Sequence, residues 1–234
     1  MKPLIAIPVP HSSNSEYSAR ALPHYVRAVE SAGAAALPVT LENLPEALAR
    51  CHAVLLPGSR ADVDPAKYDA APHPECAAAD RGRETLDWRL LDHAYAERKP
   101  VLGICYGLQS LNVYRGGTLV QHIESQVKHE NKAERHAHRV TVTPESLLAS
   151  ILRPDARGGW AVDVNSSHHQ AAAVPGRDLR SVAECPDDGV VEALEGTAPD
   201  HFVVAVQWHP ERSLDEEPSQ ALFRALIEAA SNGR

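Results

Sequence analysis

The sequence lacks the features that mark a secreted, membrane-spanning or nucleic-acid-binding protein. Its 234 residues include four cysteines, Cys51, Cys76, Cys105 and Cys185, scattered without any Cys-x-x-Cys pair. That spacing argues against a disulfide framework and a cysteine-based zinc site, so each thiol must be judged by its own surroundings. No apolar run approaches the ~18 residues that a membrane-spanning helix needs. The start Met1-Lys2-Pro3-Leu4-Ile5-Ala6-Ile7 is too short in apolar residues for a signal peptide, so a cytosolic, that is cytoplasmic, protein is expected. Positive charge is sparse as well. Lys and Arg number 23 against 31 Asp and Glu, the net charge is -8, and no basic block is long enough to track phosphates. Nucleic acid and anionic membrane are therefore not expected partners; a small molecule is, with a homodimer left open.

What is present is ordinary globular composition, 44% hydrophobic and 23% charged. The length fits one α/β domain over residues 1–234, since single domains run to about 250 residues before splitting. Short apolar runs alternate with longer amphipathic ones, the pattern of strands crossing over through helices onto a mostly parallel sheet. Strands are expected at Leu4 to Val9, Ala35 to Val39, Ala53 to Leu56 and Val101 to Cys105. Helices are expected at Tyr17 to Ala32, closed by Gly33, at Leu44 to Arg50 and at Arg83 to Arg98. Pro57 to Asp80 reads as a long functional loop, and Glu124 to Arg139 as a solvated polar excursion. Beyond it, Val140 to Val142, Ala161 to Val164, Leu179 to Cys185, Val190 to Leu194 and Phe202 to Trp208 follow one another with little helix between them. That half is expected to add antiparallel strands before a closing helix at Pro218 to Ala230.

Val101-Leu102-Gly103-Ile104-Cys105-Tyr106-Gly107 is a buried strand ending in Gly-x-Cys-x-Gly. Glycines two residues either side of a nucleophile permit a tight strand-to-helix turn that lifts it clear of the sheet edge. Cys105 then sits at a helix N-terminus, where the dipole favours a thiolate and the Tyr106 N–H points to where a tetrahedral oxyanion would form. Gln109 shares the helix face of Cys105 and can reach the same substrate. A cysteine nucleophile needs a general base, and the base needs an orienting partner. Phe202 to Glu211 supplies both: a strand carries His209 to the sheet edge, and an extended backbone would set Glu211 on the same side, with Pro210 fixing the dihedral between them.

Together, Gly103-Ile-Cys105-Tyr-Gly107-Leu-Gln109, Asn112-Val-Tyr-Arg-Gly116-Gly117-Thr118-Leu, Asn165-Ser-Ser-His168-His169-Gln170 and Gln207-Trp-His209-Pro-Glu211 resemble the class I glutamine amidotransferases, in their γ-glutamyl hydrolase branch of the peptidase C26 type. The resemblance spans nearly the whole chain. It implies a flavodoxin-like α/β fold, a catalytic Cys105, His209 and Glu211, a γ-glutamyl thioester intermediate, and no cofactor or metal. It further implies that Leu56-Pro57-Gly58-Ser59-Arg60 supplies a second oxyanion donor, the N–H of Gly58 or Ser59, in addition to that of Tyr106. Gln109 and the Asn165 to Gln170 segment, with Asn165, Ser166 and His169, would line a pocket for the glutamyl group. The implied reaction cleaves a γ-glutamyl amine, such as γ-glutamyl-γ-aminobutyrate or a γ-glutamyl polyamine. The alternatives are a glutaminase subunit feeding ammonia to a synthase and a catalytically silent binding protein of the same fold.

Other polar residues carry weaker signals. His122, His129, His136 and His138 lie within or beside the polar excursion at spacings that match no compact ligand motif; they are read as solvated surface, and no metal is expected. Asp62, Asp64 and Tyr68 either face a leaving group or cap the turn at Pro65.

Overall fold

The computed structural model describes residues 2–153 and 160–232. Among the described residues nine strands form the main sheet: β1 (Leu4–Pro8), β2 (Ala35–Val39), β3 (Ala53–Leu56), β4 (Val101–Ile104), β5 (His138–Val142), β6 (Ala161–Val164), β7 (Leu179–Glu184), β8 (Val191–Gly196) and β9 (Val203–Val206). Their order across the sheet is β2-β1-β3-β4-β9-β8-β7-β5-β6. The run from β2 to β9 is parallel, and every pairing from β9 to β6 is antiparallel. The fold is thus α/β with a parallel half and an antiparallel extension, as expected.

Among the described residues six helices flank the sheet: α1 (Ser15–Ser31), α2 (Leu44–Arg50), α3 (Arg81–Ala96), α4 (Tyr106–Tyr114), α5 (Leu147–Leu152) and α6 (Glu217–Asn232). The parallel strands are buried on both faces because alternate residues point to opposite sides. Ile5, Ile7, Leu55, Leu102 and Ile104 pack against Tyr25 and Val29 of α1 and Leu222, Phe223 and Leu226 of α6. Ala6, Val54, Leu56, Val101 and Ala205 face Leu86 and Leu90 of α3 and Leu108 and Leu111 of α4. Among the described residues no helix is long and apolar enough to cross a membrane.

Several expected boundaries shift for local reasons. Helix α3 starts at Arg81 rather than Arg83 because Asp80 is its N-cap, its carboxylate accepting from the N–H groups of Gly82 and Arg83 at 3.1 Å each. Asn14 likewise starts α1 two residues before Tyr17 by accepting from the Tyr17 N–H. The loop after β3 contains a short 3₁₀ turn, Pro65–Tyr68, and Asp64 caps it by accepting from Ala66 N–H. The short α5 was not expected; Ser146 caps it.

The polar excursion departs most from expectation. His129 is 4% exposed and His138 is 9% exposed, so neither is solvated surface. His138 opens β5, and the alternation that buries Val140 and Val142 turns His138 inward with them. His136 lies outside the strand and remains exposed, as read.

Candidate active site

Strand β4 ends at Ile104, and the chain turns at Cys105, whose φ of 53° and ψ of -107° are unusual for a side chain with a Cβ. The Cys105 N–H still donates to Val206 O of β9 at 2.8 Å, while its carbonyl accepts the first bonds of α4 from Leu108 and Gln109. The amides of Tyr106 and Gly107 therefore precede the helical ladder at its positive end. The turn closes because residue 107 is glycine: a Cβ there would lie 2.2 Å from the Leu56 carbonyl oxygen at the end of β3.

Beyond β9, Gln207 and Trp208 carry the chain to His209, which is buried and shares with Cys105 the space facing Gly58, where an added Cβ would lie 3.0 Å from His209 Cε1 and 3.7 Å from Cys105 Cβ. Nδ1 of His209 lies 2.7 Å from Oε1 of Glu211, so Nδ1–H donates to the carboxylate and Nε2 is left for the cysteine. Glu211 does not reach this position through extended backbone: Pro210–Arg212 form a 3₁₀ turn that folds the carboxylate back under the ring. Burial alone would lower the pKa of His209, but the Glu211 carboxylate and Cys105 outweigh it and hold it up at about 9. Burial pushes the Glu211 carboxyl up, yet His209 and then Arg212 bring it below the usual carboxylate range. The raised pKa favours the protonated imidazole, the kind of partner that a cysteine nucleophile needs.

Asn165 grips His209 by its backbone. Its Oδ1 accepts from the His209 N–H and its Nδ2 donates to the His209 carbonyl, each at 2.9 Å. Opposite, Gly58 packs where a Cβ would stand 2.9 Å from Tyr25 Oη and 3.0 Å from His209 Cε1. Its N–H donates to the buried Tyr25 hydroxyl at 3.0 Å. Of the two amides expected after β3, that of Gly58 is therefore engaged, which favours Ser59.

Two residues that support this region were not expected from the sequence. Tyr25 lies on the buried face of α1. Arg83, fully buried on α3, pairs with Asp87 at 2.7 Å and donates to Pro10 O at 3.1 Å and Pro57 O at 2.6 Å. Its guanidinium also lies 4.8 Å from the centre of the Tyr106 ring. One side chain thereby ties the loops after β1 and β3 to the residue following Cys105. An acid and a base at i, i+4 on α3 were the available signal, although such pairs usually sit in solvent.

The remaining expected residues occupy the wall formed by the Asn165 to Gln170 segment. Gln109 is buried and donates from Nε2 to Gln170 O at 3.1 Å and to Gln207 Oε1 at 3.3 Å. Ser166 is buried, with its hydroxyl donating to His129 O at 2.6 Å. His169 is partly buried and contacts Asp62 at 3.2 Å, whereas His168 is buried on the opposite side. Asp62 also accepts from Ala77 N–H at 2.7 Å, so it braces the long loop rather than capping the turn at Pro65.

The family model for peptidase C26 matches residues 3–211, and the chain belongs to that family. It is 40% identical over 212 residues to Rv2859c of Mycobacterium tuberculosis, a protein provisionally named as a glutamine amidotransferase; the match covers 88% of this chain and 66% of that protein. It is 33% identical over 228 residues to γ-glutamyl-γ-aminobutyrate hydrolase PuuD of Escherichia coli, covering 89% of this chain and 85% of that one. A solved structure from Thermoplasma acidophilum, provisionally named as a component of GMP synthase, superposes with a TM-score of 0.67 at 15% identity, covering 99% of this chain and 96% of that one. These findings place the chain among hydrolases with a class I glutamine amidotransferase fold.

Proposed function

We propose that the chain is a cysteine-dependent γ-glutamyl amide hydrolase in which Cys105 is the nucleophile, His209 the acid and base, and Glu211 the orienter of His209. The observation that carries this reading is the buried Cys105–His209–Glu211 line set on a strand-to-helix turn. The thiolate attacks the δ-carbonyl carbon of the γ-glutamyl group, and the oxyanion is met by the amides of Tyr106 and Ser59. Collapse breaks the C–N bond, with the proton of His209 going to the departing amine. Water, deprotonated by His209, then hydrolyses the γ-glutamyl thioester and releases glutamate. The substrate class is a γ-glutamyl amine such as γ-glutamyl-γ-aminobutyrate, a choice supported by the relative named for that reaction.

A panel of γ-glutamyl-γ-aminobutyrate, a γ-glutamyl polyamine and glutamine, assayed for glutamate release, tests the reading. The amines should give the higher kcat/KM on the isolated chain, and folded Cys105→Ala should lose all turnover above background. A preference for glutamine that emerges only with a second protein present would favour a glutaminase subunit. Turnover by Cys105→Ala at the wild-type rate would end the cysteine mechanism.

A further inference from the structure

We propose that His129, His138, His168 and Glu192 bind one divalent first-row transition-metal ion, with zinc the best match. The four come from separate parts of the antiparallel half. His129 precedes the short strand Glu130–Asn131, His138 opens β5, His168 follows the strand Ser166–Ser167, and Glu192 lies on β8. All four are buried, and one ligand atom from each lies within 4.8 Å of every other.

Three rings converge on a single carboxylate oxygen. Oε1 of Glu192 lies 3.3 Å from His129 Nδ1, 3.4 Å from His138 Nε2 and 3.5 Å from His168 Nε2. These separations are long for N–H···O bonds, and the three nitrogens and both carboxylate oxygens are buried without a hydrogen-bond partner among the described residues. They match, however, three of the six edges of a coordination tetrahedron. Metal–ligand bonds of 2.0–2.1 Å at tetrahedral angles put neighbouring donors about 3.3–3.4 Å apart.

The surroundings are those of a metal site. Each ring has its other nitrogen on an oxygen that fixes its tautomer: His129 Nε2 on Asp188 Oδ2 at 2.9 Å, His138 Nδ1 on Arg139 O at 3.2 Å, and His168 Nδ1 on Gln170 O at 3.0 Å. A divalent ion would be neutralised by the two carboxylates, Glu192 directly and Asp188 through His129. Three imidazoles and a carboxylate suit zinc and its neighbours rather than magnesium or calcium. A cavity of about 210 Å³ lined by His122, Lys128, His129 and His168 lies beside the cluster.

Four protein ligands leave no open position, so the ion's role is structural. It would pin His168 to β5 and β8, and with it the Gln170 carbonyl that also receives Gln109. The site stands apart from the proposed cysteine chemistry and does not depend on it.

The test is metal content of the full-length untagged chain by mass spectrometry, paired with Co²⁺ titration of metal-depleted wild type. One zinc per chain is expected, together with saturable uptake of one Co²⁺ showing the visible bands of tetrahedral coordination. Glu192→Ala and His138→Ala should bind at least tenfold more weakly, and exposed His136→Ala should bind as wild type. The titration uses the unaltered chain, so it stands even if the variants fail to fold. A folded wild type that takes up no Co²⁺ stoichiometrically, or zinc that persists undiminished in folded Glu192→Ala, would overturn the proposal.

Discussion

Asn165 offers the sharpest test of how the site is built, because two roles for it predict different kinetics. The resemblance makes it a pocket residue, whereas the structure shows its amide clamped on both backbone polar groups of His209. Asn165→Asp is nearly isosteric. It retains the oxygen that accepts the His209 N–H, but an oxygen replaces the nitrogen that donates to the His209 carbonyl. One hydrogen bond becomes an oxygen–oxygen contact beside a buried imidazole, a change worth about 1–3 kcal/mol. If that energy is spent on the position of His209 in the transition state, kcat falls about 5- to 150-fold at roughly 1.4 kcal/mol per decade.

For a positioning residue, KM should move less than about twofold, because ground-state contacts are intact. The new carboxylate adds to the negative charge around His209, so the alkaline limb of the pH–rate profile should shift upward. Asn165→Ala, without that charge, should lower kcat and leave the limb in place. Steady-state kinetics across pH on both variants, with circular dichroism to confirm folding, measures all of this. An unchanged kcat with KM raised tenfold or more would refute the clamp and restore Asn165 to the pocket.

Three further outcomes follow from the same geometry. Removing the proposed base should hurt more than removing its proposed orienter: His209→Asn should lower kcat by about 10⁴-fold or more, and Glu211→Gln by less, in parallel single-turnover assays. Gly107→Ala places a Cβ 2.2 Å from the Leu56 oxygen, so backbone must move; thermal melting should show about 1–3 kcal/mol of destabilisation along with lost activity. Stability should also depend on pH through His209. Its folded pKa of about 9 exceeds the unfolded value of about 6.5, so the folded state holds more protons between them. The His209 contribution is full below about pH 6.5 and is lost as pH rises through about 9. Urea midpoints should therefore fall over that window more steeply in wild type than in His209→Asn, and equal slopes would contradict the assignment.

The parallel half of the fold was legible because its strands are buried on both faces. Runs such as Ala53 to Leu56 and Val101 to Ile104 are apolar throughout and need no partner to be recognised. The strand-to-helix turn at Cys105 was legible for a related reason: a close backbone approach demands glycine, and Gly107 records the Leu56 carbonyl in the sequence itself. Boundaries were less visible, since one side chain at each, Asp80 or Asn14, sets them. The His209–Glu211 contact was anticipated for the wrong backbone. Spacing by two suits a strand, whereas Pro210 begins a 3₁₀ turn that achieves the same proximity by folding back.

Polar residues that became buried were the hardest to read, and the physical reason is common to them. A histidine or arginine enters a core when another segment supplies its hydrogen bonds, and that segment is distant in sequence. Arg83 is fully buried because Pro10, Pro57 and Asp87 together satisfy it; the sequence shows only the helical neighbour. The same holds for His129 and His138. Judged by spacing among nearby histidines they match no ligand motif, and the reading as surface follows directly. Their partners are His168 and Glu192, brought beside them by the antiparallel pairings of β5 with β7 and of β7 with β8 and by the short ladder joining Glu130–Asn131 to Ser166–Ser167. That ladder also holds the segment containing Asn165, the residue that clamps His209. The antiparallel extension therefore does more than widen the sheet: it holds the segment that clamps His209, the proposed base, opposite the parallel strands that present Cys105.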